Sequence, residues 1–170
     1  MNKLFIIILL LMITFSFSED NIKLFDETNW YKSQIDTGVG NCGPACAAML
    51  IQRSGVDITV EDARKLIGYK AEDGATGIFE LLFILQLYYI DYKFLKNLDC
   101  YYGSGVVLAV IDAKYISSRG YTYGGGHYII ITGILDNRYY LIHDPISGPN
   151  KAYKISEVKR ALRYKPVWIE

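Results

Sequence analysis

The chain has 170 residues, 51% of them hydrophobic, and its 18 basic and 18 acidic residues balance to zero net charge. That length suits one domain with its own core, and the balanced charge, with no basic run, excludes nucleic acid as an expected partner. Two histidines and three cysteines leave few candidates for thiol or metal chemistry, and fifteen tyrosines suit a strand-rich surface of the extracellular kind.

Residues 1–18 read as a secretory signal. Lys3 supplies a positive start, Leu4–Phe15 is apolar, and Ser16-Phe17-Ser18 precedes Glu19 and Asp20. The apolar core is about a dozen residues, short of the roughly 20 that span a bilayer. Residues 19–170 are then the mature domain, secreted or periplasmic. The alternative is an uncleaved anchor, which is the one membrane association expected. Export takes Cys42, Cys46 and Cys100 into an unprotected compartment, and an odd count leaves at least one of them unpaired. If Cys42 stays free, Cys46 and Cys100 form a bridge or remain buried thiols.

Trp30 reads as a core residue, and Gln34 as either a loop residue or an amide donor to an oxyanion. After the glycine-rich turn Thr37–Gly40 comes Asn41-Cys42-Gly43-Pro44-Ala45-Cys46-Ala47-Ala48-Met49-Leu50. Pro44 and the alanines predict a helix running to about Gly55, with Cys42 at its mouth. Unpaired N–H groups and the positive end of the helix dipole favour a thiolate there. Cys46, one turn further on, reads as a packed side chain. Thr59 and Asp62 predict a capped second helix with Val60, Ala63, Leu66 and Ile67 inward. Thr76 predicts the cap of a third, Gly77 to about Tyr89, apolar on most sides and therefore central.

From Asp91 the pattern turns to strands: a weak alternation at Asp91–Leu95, a buried run at Gly105–Ile111, and a hairpin of His127–Leu135 with Arg138–His143 around Asp136-Asn137. The Ala113–Gly126 loop is long enough to predict a functional or mobile segment, one wall of a substrate cleft. Asp144–Pro149 reads as a turn, Glu157–Leu162 as a short helix capped by Ser156, and Pro166–Ile169 as an edge strand. Helices first and strands second predict an α+β domain.

The hairpin also predicts which side chains meet. With Asp136 and Asn137 as a two-residue loop, His127 lies opposite position 146. Asp144 then shares a face with His127, and His143 takes the other. A four-residue loop keeps this parity, whereas a three-residue loop reverses it. A thiol nucleophile needs an imidazole, the imidazole needs a carboxylate on its far nitrogen, and the developing oxyanion needs donors. Cys42, His127, Asp144 and Gln34 are one of each. Cys42, Cys46 and His127 lack zinc-type spacing, so neither a metal nor another cofactor is expected.

Asn-Cys-Gly-Pro-Ala-Cys-Ala-Ala-Met, then Gly-Gly-His-Tyr-Ile-Ile-Ile-Thr-Gly-Ile, then His-Asp-Pro-Ile-Ser-Gly resembles the bacteriocin-processing (double-glycine) peptidases and their stand-alone relatives, which are papain-like cysteine peptidases. The resemblance runs from about Trp30 to the C-terminus. It implies a papain-like α+β fold, with N-terminal helices on a mostly antiparallel sheet. By the same resemblance Cys42 is the nucleophile, His127 the base, Asp144 the orienting acid, and Gln34 with the Cys42 N–H the oxyanion donors. Two departures stand out. Gln34 lies eight residues before Cys42, a longer step than the family's usual one, with Asn41 as a less suitable substitute. Many relatives are transporter domains that trim leader peptides, a role not expected to transfer to this chain. The expectation is a secreted cysteine peptidase acting on a peptide or protein. The competing readings are another thiol-dependent amide hydrolase or acyl transferase on the same residues, and a secreted binding module that keeps the fold.

Overall fold

The computed structural model describes residues 28–35, 40–68, 76–121 and 125–170. The signal segment expected at residues 1–18 lies outside them. No helix among the described residues is long and apolar enough to cross a membrane.

Three helices come first: α1 (Cys42–Arg53), α2 (Val60–Ile67) and α3 (Ile78–Leu87). Strands β1 (Tyr92–Phe94), β2 (Val106–Asp112), β3 (Gly126–Leu135), β4 (Tyr139–Asp144) and β5 (Gly148–Lys154) follow, then helix α4 (Ile155–Ala161) and strand β6 (Val167–Ile169). The strands form one antiparallel sheet in the order β1-β6-β2-β3-β4-β5. This is the α+β architecture expected, with the N-terminal helices on a fully antiparallel sheet.

Both faces of the sheet are covered, which is why β2 is a continuous apolar run rather than an alternating one. Val106, Leu108 and Val110 pack against α1–α3, while Val107, Ala109 and Ile111 join Ile129, Ile142 and the α4 residues Val158 and Ala161 on the other side. Helix α1 is buried along its length from Gly43 to Ile51. Small side chains at Ala45, Ala47 and Ala48 let it lie close to the sheet, which holds its N-terminus rigidly at the sheet's end.

Thr59 caps α2 as expected: its Oγ1 accepts from the Asp62 N–H at 3.0 Å, and the Asp62 carboxylate answers. At α3 the cap differs from the expectation. Glu80 accepts from the Gly77 N–H at 2.7 Å, and Thr76 is left to other work. Nor is α3 central. Leu81, Leu82, Ile84 and Leu85 are buried, but Phe79 is 76% and Phe83 59% exposed. Apolar character all round did not distinguish a buried helix from one with an uncovered stripe.

Strand β6 is interior, between β1 and β2, because Pro166 falls outside it and leaves both of its edges able to pair. The edge strand that tolerates a proline is β5, which contains Pro149. Its polar run Gly-Pro-Asn-Lys-Ala-Tyr-Lys carries no apolar pattern: the turn expected at Asp144–Pro149 covers only its first two residues, and the sequence predicts no element for the rest.

Candidate active site

The site stands where the N-terminus of α1 meets the ends of β3 and β4. Gly40 takes φ 86, a backbone that favours glycine, and turns the chain into Asn41 and the helix. Cys42 is the first helical residue. Gly43 follows with no room for a side chain: a Cβ there would lie 2.6 Å from Cβ of Thr76. The Thr76 carbonyl in turn accepts from the Tyr128 hydroxyl at 2.8 Å. The residues after Cys42 and after His127 are thus locked through one threonine. Gly43→Ala is expected to cost about 1–3 kcal/mol by overpacking and to disturb the thiol, checked by urea unfolding and by Cys42 alkylation rate.

The hairpin that carries His127 and Asp144 keeps the predicted parity by a different route. Leu135 pairs with Tyr139, so the loop has three residues, with Asp136 and Asn137 at φ 51 and 53. Alone this would reverse the faces. A bulge between Ile131 and Gly133 shifts the register back, and Ile130 pairs with His143 as a two-residue loop would require. His127 and Asp144 therefore share the face away from α1–α3. His143 takes the helix side, where its ring lies 4.3 Å from that of Trp30.

His127 Nε2 lies 2.8 Å from Asp144 Oδ1, and the two side chains are 1% and 0% exposed. Cys42 is hydrogen-bonded to the same imidazole. With Nε2 committed to Asp144, Nδ1 is the nitrogen left for sulfur. The electrostatics follow from this chain of contacts. Burial disfavours a Cys42 thiolate, but the hydrogen bond and charge of His127 and the Tyr128 and Gly43 N–H groups outweigh it, and the thiol is lowered from its ordinary value. Burial likewise disfavours the imidazolium, yet Asp144 and Cys42 together raise His127 to about 9. Against its own burial, Asp144 is held well below the usual carboxylate range by His127 and by the hydroxyls of Tyr121 and Tyr153. The arrangement can hold a thiolate–imidazolium pair at neutral pH.

Gln34 is buried, and its backbone N–H donates to the Pro145 carbonyl at 3.0 Å. Ser33 Oγ donates to the same carbonyl at 3.4 Å, and the Tyr31 hydroxyl to the Asp144 carbonyl at 2.9 Å. The segment bearing Gln34 is therefore stitched to the turn that follows the acid. The 36–39 part of the step to Cys42 lies outside the described residues. All three cysteines are free; Cys46 is fully buried and Cys100 exposed, so the bridge left open by the sequence is absent. Burial pushes the Cys46 thiol well up, which fits a packing role.

Three tyrosines at the site escaped the sequence reading. Tyr31, Tyr121 and Tyr153 all touch Asp144. The count of fifteen tyrosines points only to a strand-rich surface and singles out none of them. Recognising β5 as a strand would have brought Tyr153 beside the acid.

A family model described as "Peptidase_C39 like family" matches residues 23–169. No curated protein sequence matches significantly. Several solved structures are similar in fold. The peptidase domain of Streptococcus ComA, a bi-functional ABC transporter involved in quorum sensing, superposes with TM-score 0.60 at 19% identity, covering 82% of this chain and 97% of that one. A C39-like peptidase structure from Bacillus anthracis gives 0.61 at 13%, covering 85% and 96%. A double glycine motif protease from an AMS/PCAT transporter, in complex with the leader peptide, gives 0.52 at 17%, covering 78% and 85%.

Proposed function

The chain belongs to the Peptidase C39-like family, and from that membership together with the Cys42–His127–Asp144 geometry we propose that it is an exported cysteine peptidase. The observation that carries the reading is the run of contacts from a half-buried helix-mouth thiol to the buried His127 and on to Asp144. A solved relative in fold holds a leader peptide, which supports a peptide as the substrate class.

In this reading the Cys42 thiolate attacks the scissile carbonyl carbon. A C–S bond forms, and the carbonyl π pair moves to oxygen. The side-chain amide of Gln34 and the Cys42 N–H stabilise that oxyanion. Protonated His127 delivers its proton to the leaving nitrogen as the C–N bond breaks, leaving a thioester. His127 then takes a proton from water as the water oxygen attacks. Collapse of the second tetrahedral species breaks the C–S bond and restores the thiolate. Asp144 keeps the imidazole oriented throughout. Residues 1–18 direct export in the same proposal, which N-terminal sequencing of the exported product tests.

The direct experiment is mass spectrometry of a peptide library incubated with the chain. New peptide termini that disappear with Cys42→Ala are expected. Products from cell-wall fragments alone would move the activity to another amide class. Gln34→Ala is expected to lower kcat about 10²-fold or more with little change in KM, as loss of an oxyanion donor does; an unchanged kcat would remove Gln34 from that role. The pH–rate profile is expected to be bell-shaped. Its acid limb lies below an ordinary thiol value, and its alkaline limb lies near the His127 value of about 9.

A further inference from the structure

Asp144 holds more hydrogen bonds than one histidine requires. Its Oδ1 accepts from His127 Nε2 at 2.8 Å and from the Ile146 N–H at 2.9 Å. Its Oδ2 accepts from the hydroxyls of Tyr121 and Tyr153. Two donors on each oxygen fill the acceptor capacity of a carboxylate. The two phenol oxygens lie 2.9 Å apart. Each has a single proton, and with both given to Oδ2 neither is left for the other. Their closeness comes from converging on one oxygen.

The two tyrosines reach Asp144 from separate parts of the chain. Tyr153 comes from β5. Tyr121 lies in the Ala113–Gly126 stretch expected to be a functional or mobile loop, and the Ser117–Arg119 part of that stretch is held to α4 and β5. Ser117 and Ser118 donate to the Glu157 carboxylate at 3.0 and 2.7 Å. Arg119 donates to the Ala152 carbonyl at 2.6 Å, with its guanidinium 4.5 Å above the Tyr153 ring.

We propose that Tyr121 and Tyr153 are positioning residues: together they clamp Oδ2 and hold the Asp144 carboxylate in the rotation that aims Oδ1 at His127. The proposal rests on the catalytic roles given above to His127 and Asp144. An aspartate's terminal torsion is broad and roughly two-fold, so its own covalent structure does not select that rotation. Without the phenols a buried oxygen loses both donors, and the carboxylate turns to share its remaining ones. Burial and the neighbouring carboxylate push both phenols well above the ordinary tyrosine value, which keeps them donors throughout the working range.

The test reads the His127–Asp144 bond itself. The chain has two histidines, so ¹⁵N-histidine NMR is simple, and His127→Ala assigns the signals. In the wild-type chain His127 is expected to show a downfield, slowly exchanging Nε2–H. Tyr121→Phe and Tyr153→Phe should each speed that exchange, and the double variant by about ten-fold or more, the weight of a hydrogen bond to a charged group. On any peptide the wild type cleaves, kcat should fall about ten-fold with KM unchanged. Tyr140→Phe removes a buried hydroxyl that donates to the Leu98 carbonyl on the same sheet face, and should leave the Nε2–H as it was. Unchanged exchange in both single variants would overturn the clamp, whether or not the double variant folds. A wild-type chain with a protected Nε2–H that cleaves no peptide would sink the peptidase reading and leave the clamp standing.

Discussion

His127→Ala is expected to abolish peptide cleavage, lowering kcat/KM by about 10³-fold or more, the combined loss of the general acid and of the thiolate's partner. The second loss follows from burial. The Cys42 thiol is lowered because the hydrogen bond and charge of His127, with the Tyr128 and Gly43 N–H groups, outweigh desolvation. With the ring gone only desolvation and the backbone donors remain, and the thiol moves up. The variant also tests a stability effect of definite sign. His127 is raised in the folded chain from 6.5 to about 9, so its stabilisation is fully present below the unfolded value and lost as pH rises through about 9. Urea unfolding across that range should show the decline in the wild type and its absence in His127→Ala.

Asp144→Ala is expected to be as damaging to the fold as to the chemistry. It strips one acceptor from four donors at once: His127 Nε2, the Ile146 N–H and the hydroxyls of Tyr121 and Tyr153. Removing one partner of a buried, hydrogen-bonded charge pair costs about 3–5 kcal/mol. A kcat loss of about 10²–10⁴-fold accompanies it, because the ring loses both its orientation and the charge that raises it. The pH dependence has the opposite sign to that of His127. Asp144 is depressed in the folded chain, so its contribution is present above the unfolded value and lost as pH falls through the folded one. Acid unfolding of the wild type should show that loss, and Asp144→Ala should lack it. Urea midpoints at neutral and acid pH measure the first claim, and steady-state kinetics the second.

How far the sequence carried this site depends on which interactions are local. Cys42 at a helix mouth is a local feature, readable from Gly40, Pro44 and the alanines after it. The facing of His127 and Asp144 is a parity statement, and it survived because two irregularities cancelled. The loop is one residue longer than Asp136-Asn137, and the bulge near Thr132 restores the count. Neither is encoded by hydrophobic alternation, since Ile129–Ile131 is apolar on both faces. The tyrosine clamp was not legible at all. It joins residues from a loop and a polar edge strand, and β5 has no pattern of its own to reveal it. In α3, composition established the helix but not its neighbours, and the exposure of Phe79 and Phe83 is a tertiary fact.

The central claim is a thiolate–imidazolium pair between Cys42 and His127. The pH dependence of Cys42 alkylation by iodoacetamide tests it most directly, with Cys100→Ser removing the exposed thiol and Cys46 protected by burial. A thiolate that persists well below the ordinary thiol range, and that His127→Ala pushes upward, is the predicted result. A Cys42 that alkylates with the pH dependence of a free thiol, unmoved by His127→Ala, would contradict it.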